Sequence, residues 1–204
     1  MPTSIPYNTP FVGRGNIKIG SALTFSLPSR ITCPGASPWC LNHCYALRYE
    51  RLRPFCLKAY SRNLSLSLDA DTFAKTMMAT LPHGLRCLRI HVSGDFYSRI
   101  YCQKWIEICK ARPDIVFWCY TRSWAVPALL APLEVLRSLP NVHLLASCDM
   151  TMPLPPTGWR VAFVQEDPRA TGMPCKKQHG RATSCQTCGY CMFSNTGHVV
   201  FNVH

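Results

Sequence analysis

The feature that most constrains this chain is a group of closely spaced cysteines near its C-terminal end. Two residues separate Cys185 from Cys188 and Cys188 from Cys191, and nine residues separate Cys175 from Cys185. Iron–sulfur clusters are held by cysteines at such spacings, whereas a hydrophobic core has no need of them. Four thiolates complete the coordination of a cluster, so we expect a closed [4Fe-4S] site here. Zinc is the alternative, with His179 in place of Cys175 in one form of that site.

A second cysteine group lies nearer the N-terminal end. Six residues separate Cys33 from Cys40, and three separate Cys40 from Cys44. Three thiolates leave one iron of a four-iron cluster open, and an open iron can bind an amino-carboxylate ligand such as S-adenosylmethionine. A fourth ligand from Cys56 or His43 would instead close the site around zinc or a cluster, and Cys56 is the better candidate because His43 adjoins Cys44. The remaining alternative is that these thiols bind no metal. The sequence therefore predicts one or two iron–sulfur clusters.

The composition favours a cytoplasmic protein. The chain has 204 residues and 13 cysteines, an odd number that suits metal ligands and buried free thiols in a reducing compartment better than disulfides. An apolar content of 48% over this length is enough for one well-buried domain. Neither a long apolar run nor a charged and then apolar leader is present, so we expect no membrane span.

The charge of the chain points to an anionic partner. Lysine and arginine number 22 against 10 aspartate and glutamate, which gives a formal net charge of +12. Basic and aromatic side chains alternate along one short segment, namely Tyr45, Arg48, Tyr49, Arg51, Arg53, Phe55, Lys58, Tyr60 and Arg62. Such a mixture suits a phosphate backbone and unstacked bases, so a nucleic acid or nucleotide is the expected partner or substrate. Solubility is the alternative explanation of the surplus charge.

Hydrophobic periodicity predicts an α/β fold. Strands are expected at residues 22–27, 87–93, 115–121, 142–148, 160–165 and 198–203. Helices are expected at residues 41–52, 56–68, 98–111 and 126–138, with a further one capped by Asp69 or Asp71. The alternation implies parallel pairing, and we predict a partial (β/α)6-type barrel with mostly parallel strands and a C-terminal Cys-rich metal-binding loop. The expected organisation is one compact domain with an irregular arm at 1–21, the partial barrel at 22–168 and the Cys-rich loop with the final strand at 169–204.

Polar residues and one glycine lie at the C-terminal ends of the predicted strands. They are Ser93, Gly94, Asp95, Arg122, Ser147 and Asp149. The carboxyl ends of parallel strands meet at one edge, where α/β proteins gather their functional sites. These groups, facing three thiolates, would suit a cluster with a charged small molecule beside it. The alternative is that strand ends are polar because loops begin there.

Four motifs carry a resemblance to a known family. CPGASPWCLNHCYA, HVSGDF, CYTRS and the closing CxxCxxC resemble the phage and plasmid gene product 88 family over about residues 22–204. That family looks related to the radical S-adenosylmethionine enzymes, which carry a cluster-binding loop after the first strand of a partial barrel. By this likeness Ser93, Gly94 and Asp95 stand where those enzymes hold the methionine amino group. The cysteine spacing differs, since the radical enzymes have three and then two residues between ligands.

The resemblance implies a radical S-adenosylmethionine-like enzyme. Asp95, Arg122 and Asp149 are then the catalytic candidates, and Ser147 joins the Ser93–Asp95 turn in cofactor binding. A flavodoxin or ferredoxin would donate the electron. The alternative function is non-catalytic: a zinc- or iron–sulfur-stabilised nucleic-acid-binding protein of a mobile element.

Overall fold

The fold is a mixed α/β architecture built on one eight-stranded sheet. The computed structural model describes residues 10–14 and 18–203. In chain order the strands are β1 (Val12–Arg14), β2 (Leu23–Phe25), β3 (Cys87–Ile90), β4 (Val116–Thr121), β5 (Val142–Cys148), β6 (Arg160–Val164), β7 (Met173–Pro174) and β8 (Val199–Phe201). Their spatial order is β1-β2-β3-β4-β5-β6-β8-β7, and every pairing is parallel except that of β1 with β2.

All six predicted strands are present, and the mostly parallel sheet is confirmed. The barrel is not confirmed, because the strand order runs from β1 to β7 without a pairing that joins them in the part of the chain described. β1 and β7 were not predicted, since two or three residues are too few to show alternation. β1 falls within the arm at 1–21 that we expected to be irregular; residues 1–9 and 15–17 of that arm lie outside the described residues.

The five predicted helices are present, one of them divided in two, and two short helices that were not predicted lie in the Cys-rich segment. They are α1 (Pro38–Asn42), α2 (Tyr45–Leu52), α3 (Pro54–Leu68), α4 (Ala70–Thr80), α5 (Arg99–Ala111), α6 (Pro127–Arg137), α7 (Cys185–Cys188) and α8 (Tyr190–Phe193). The single helix expected at 41–52 is divided, because α1 ends at Asn42 with His43 as its C-cap, and Cys44 adopts an extended conformation before α2. Asp69 is the cap of α4, where its carboxylate accepts a hydrogen bond from the Thr72 amide at 3.2 Å. No helix of the described residues has the length and apolar character needed to cross a membrane.

The two faces of the sheet are covered differently. On one face alternate strand residues such as Ile90, Phe117 and Cys119 pack with the helices in the main core. The opposite face carries Trp118 and Tyr120, which pack against α8 and the chain around Ile19. The cysteine-rich C-terminal segment therefore covers the sheet face that the long helices leave open.

Candidate functional site

The first cysteine group lies in the loop that follows β2. We define the cysteine loop as residues 28–44, which include α1. Burial raises the pKa of Cys33 to about 12, and the negative charges of Asp95 and of the neighbouring Cys40 and Cys44 add to that effect. Burial also raises the pKa of Cys40. The structure thus brings the three predicted ligands together in one loop.

Neither candidate for a fourth ligand joins the three cysteines through a side-chain contact that the structure describes. The His43 ring stacks on Trp39, with ring centres 4.4 Å apart, and its Nδ1 lies 2.9 Å from the Trp39 carbonyl oxygen. Cys56 lies in α3 near Tyr60. This arrangement leaves three thiols as the group in the cysteine loop.

Asp149 ties the cysteine loop to the end of β5. Its Oδ2 accepts a hydrogen bond from Ser37 Oγ at 2.5 Å and pairs with the Arg122 guanidinium. Its Oδ1 accepts from both the amide and the hydroxyl of Thr151. Burial opposes ionisation of this fully buried carboxyl, yet the hydrogen bonds and the charge of Arg122 hold its pKa below the usual value. Because Ser37 also accepts from the Cys40 amide at 3.0 Å, Asp149 fixes the start of α1.

Asp95 is held by its own chain in the same way. Its carboxylate accepts hydrogen bonds from the Thr121 hydroxyl at 2.6 Å and from the backbone amides of Phe96 and Arg122. Its own amide donates to the Thr32 carbonyl in the cysteine loop. Burial raises the pKa of Asp95, and these donors oppose the rise. The predicted catalytic residues Asp95, Arg122 and Asp149 therefore meet at the sheet edge, where they position the cysteine loop and one another.

A buried glutamate that the sequence analysis missed provides a third anchor. Glu50 Oε1 accepts from the Ser29 amide at 2.7 Å and from the Ser93 hydroxyl at 2.6 Å, and Oε2 accepts from the Ser29 hydroxyl. Ser93, a predicted cofactor ligand, thus donates its hydroxyl to Glu50. One signal was available in the sequence: Glu50 is the only acidic residue among the first 68.

Two glycines allow the cysteine loop to approach the sheet closely. A Cβ atom on Gly35 would lie 2.1 Å from the Arg122 carbonyl oxygen. Gly94 has a positive φ of 79°, and a Cβ there would lie 2.6 Å from Thr32 Oγ1 and from Leu27 Cβ. The close packing therefore requires glycine at position 94, and the role of Gly94 in cofactor binding stays a prediction beside it. Ser147, the remaining predicted cofactor residue, has its carbonyl oxygen bonded to Trp124 Nε1 at 3.1 Å.

The second cysteine group lines one small cavity. Cys175 follows β7, Cys185 and Cys188 bound α7, and Cys191 lies in α8; all four face a cavity whose wall is largely apolar. Burial raises the pKa of Cys191 to about 11, although a hydrogen bond from Tyr120 and the charge of Arg160 oppose the rise. The four cysteines that their spacing in the sequence predicts as one group therefore lie around one cavity.

Two half-buried cations beside the second group were also missed. Burial raises the pKa of Cys185, and the positive charges of Arg89 and Lys18 oppose that rise. Arg89 lies under the Tyr120 ring at 5.1 Å and forms a side-chain hydrogen bond with Tyr45, the residue after Cys44. β3 and β4 place Arg89 and Tyr120 on the same face. The Arg89 guanidinium interacts there with Tyr45, which follows Cys44, and with Cys185 of the second group.

The cysteines do not form a site for a single metal ion. Across residues 10–14 and 18–203, no set of three or more His, Cys, Asp or Glu side chains is arranged to hold one. A metal-binding role of the Cys-rich loop is thus not shown by its geometry. Zinc bonds of about 2.3 Å would require sulfur atoms roughly 4 Å apart. A cluster spaces its ligands more widely, because each thiolate binds a different iron.

Comparison with known proteins places the chain among phage proteins. The gene 88 protein of Mycobacterium phage L5 is 28% identical over 209 residues, which cover 87% of this chain and 86% of that protein. The gene 88 protein of Mycobacterium phage D29 is 31% identical over 148 residues, or 66% of this chain and 60% of that protein. No solved structure matches the chain. The sequence model of the gene product 88 family matches residues 7–193. The chain therefore belongs to the gene product 88 family.

Proposed function

We propose that this protein is an iron–sulfur enzyme of the radical S-adenosylmethionine type. The observation that carries the proposal is the place of Cys33, Cys40 and Cys44: a thiol triplet in the loop after the first parallel strand, beside the carboxyl ends of the neighbouring strands. That edge is where parallel α/β proteins assemble their reaction sites.

The donor set of both groups fits iron–sulfur clusters. Three half-buried thiols in one loop would hold a cluster with one open iron, and four thiols around an apolar-walled cavity would hold a closed one. An open four-iron cluster, when bound, would supply the electron that starts radical chemistry on S-adenosylmethionine. A flavodoxin or ferredoxin would deliver that electron to the protein.

The strand-end residues would act mainly by holding the cysteine loop in place. Asp149 orients Ser37 and thereby α1, whereas Asp95 fixes the Thr32 end of the loop and the backbone of Arg122. Arg122 pairs with Asp149 and also lowers the pKa of Cys40 against the effect of burial. It is the strand-end group best suited to attract an anionic part of a cofactor or substrate to the triplet, in the manner of a guanidinium recognising a carboxylate.

The test is a comparison of two cysteine variants purified without oxygen. Cys40→Ala should lose the cluster of the cysteine loop and the cleavage of S-adenosylmethionine while the protein stays folded. Cys109→Ala is the matched control, because Cys109 is buried among the α5 residues of the main core and should retain both. Full iron content and full cofactor cleavage in Cys40→Ala would overturn the assignment.

A second function is favoured by a different observation. Asp95, Asp149 and Glu50 are all engaged by donors of their own chain, as expected of carboxylates that stabilise a fold. On that basis the protein would be a cluster- or zinc-stabilised nucleic-acid-binding protein of a mobile element. Salt-dependent binding of oligonucleotides by a protein that does not cleave S-adenosylmethionine would favour this function.

A further inference from the structure

A basic hollow lies directly beside the cysteine loop. It has a volume of about 480 Å³ and is lined by Arg30, Arg48 and Arg51 together with Cys44, Leu47 and Leu52. Arg48 and Arg51 are one turn apart on α2, and Arg30 is held over the hollow by a hydrogen bond from its Nη2 to the Leu41 carbonyl oxygen at 2.9 Å. Its size falls within the range of about 300–1,000 Å³ typical of small-molecule sites. We call these residues the arginine hollow.

The arginine hollow has no acidic counterpart. None of its three arginines forms an ion pair among the described residues. The first 68 residues contain eight lysines and arginines and one acidic residue, Glu50, whose carboxylate is buried and engaged by Ser29 and Ser93. Like charges held this close repel one another, so an anionic ligand would relieve the repulsion.

The stretch of chain that carries the arginine hollow also exposes many apolar and aromatic side chains. Ile31, Leu52 and Phe55 are 75%, 70% and 68% exposed, and Tyr49 is exposed beside the Arg53 guanidinium. Seven of the thirteen large apolar side chains exposed in the described residues lie between residues 31 and 57. Exposed aromatic rings beside cations suit bases that stack and phosphates that pair, which a folded duplex cannot offer together.

We propose that the arginine hollow binds the backbone of a single-stranded nucleic acid and brings it to the cysteine loop. Arg30, Arg48 and Arg51 contact phosphates, and Tyr49 and Phe55 stack on bases. Cys44 lines the same hollow, so the bound strand lies beside the first cysteine group. As a statement about substrate this rests on the proposed function, whereas the binding itself requires neither a cluster nor S-adenosylmethionine.

Fluorescence anisotropy with a short labelled single strand tests the proposal, with iron measured in the same preparation. Arg48→Ala with Arg51→Ala should weaken binding about tenfold and reduce the slope of log affinity against log salt by about 1.4, since each phosphate contact on a single strand contributes about 0.7. Arg99→Ala with Lys110→Ala removes the same charge from α5 and should change neither quantity. Phe55→Ala should weaken binding while leaving the salt slope unchanged.

Three outcomes would overturn the proposal. They are the absence of single-strand binding, an equal loss in the α5 control, and binding of a duplex of the same length as tightly as the single strand. The assay compares DNA and RNA strands of the same sequence. Weaker binding of either strand by the Arg48→Ala, Arg51→Ala variant, without a loss in the α5 control, supports the site. Since iron content and strand binding are separate readouts, a protein that binds strands without iron refutes the proposed function and leaves this inference standing.

Discussion

Replacing Asp149 with asparagine should destabilise the protein strongly, because this carboxylate connects the cysteine loop to the sheet. The side chain is fully buried, pairs with Arg122, and accepts hydrogen bonds from Ser37 and Thr151. An amide in its place leaves the guanidinium without a counter-charge and turns an NH2 group toward a donor. Removing one partner of a buried ion pair costs about 3–5 kcal/mol, so we expect Asp149→Asn to lower the free energy of unfolding by that amount.

Two further variants separate the ion pair from the cysteine loop. Ser37→Ala removes one hydrogen bond to a charged acceptor, worth about 1.5–3 kcal/mol, and the cap of α1, worth about 1 kcal/mol. Because Ser37 and Asp149 contact each other, the double variant should cost less than the two single variants added together.

The assay is urea unfolding followed by circular dichroism. Asp114→Asn is the matched control, since its side chain is 53% exposed beside Arg112 and such exposed pairs contribute little to stability. A loss for Asp149→Asn no larger than for Asp114→Asn would refute the claim that Asp149 is a structural anchor. Strict additivity of Asp149→Asn and Ser37→Ala would refute the connection to α1.

Three other predictions concern separate parts of the molecule. Burial lowers the pKa of His91 to about 3, so folding favours the neutral ring and the free energy of unfolding should fall by about 2 kcal/mol as the pH drops from 7 to 5. In urea unfolding, His91→Asn should abolish that pH dependence, because asparagine tolerates the positive φ of 64° at this position and does not titrate. An equal pH dependence in both proteins would contradict the prediction. Gly35→Ala should cost about 1–3 kcal/mol and release the iron of the proposed cluster in the cysteine loop, because its Cβ would lie 2.1 Å from the Arg122 carbonyl oxygen. Gly84→Asn is the control and should keep its iron, because a Cβ there meets no atom within 4 Å and asparagine tolerates the positive φ of 77°. Equal iron content in the two variants would refute the close docking. If the C-terminal cysteine group holds the proposed cluster, Arg89→Met should lower the reduction potential of that cluster in a titration followed by electron paramagnetic resonance, while Arg89→Lys should largely retain it. An unchanged potential in Arg89→Met would contradict the placement of that charge.

Six of the eight strands could be predicted from the sequence because each is a short apolar run between polar turns. Alternation along β4 also places Phe117 and Cys119 on one face of the sheet and Trp118 and Tyr120 on the other, but only the structure shows that the first pair packs against the helices. The break between α1 and α2 could not be predicted, because helical periodicity continues through Leu41–Leu52 and only the backbone at Cys44 shows the interruption.

The cysteine groups were predictable from spacing alone, but their supports were not. The sequence shows that Asp95 and Asp149 lie at the ends of predicted strands. Whether their carboxylate oxygens accept hydrogen bonds from a ligand or from Thr121 and Ser37 depends on the tertiary structure. Glu50 and Arg89 were missed for a related reason, since each lies within a regular helix or strand pattern and its burial depends on loops distant in sequence.

The central claim is that the two cysteine groups hold iron–sulfur clusters, one of them with an open iron. It is tested most directly by iron and sulfide analysis with electron paramagnetic resonance on anaerobically purified, reduced protein, before and after addition of S-adenosylmethionine. The account predicts about eight irons and eight sulfides per chain, as two four-iron clusters require, and a signal that changes when the cofactor is added. Zinc without sulfide, or about four irons with an unchanged signal, would contradict it.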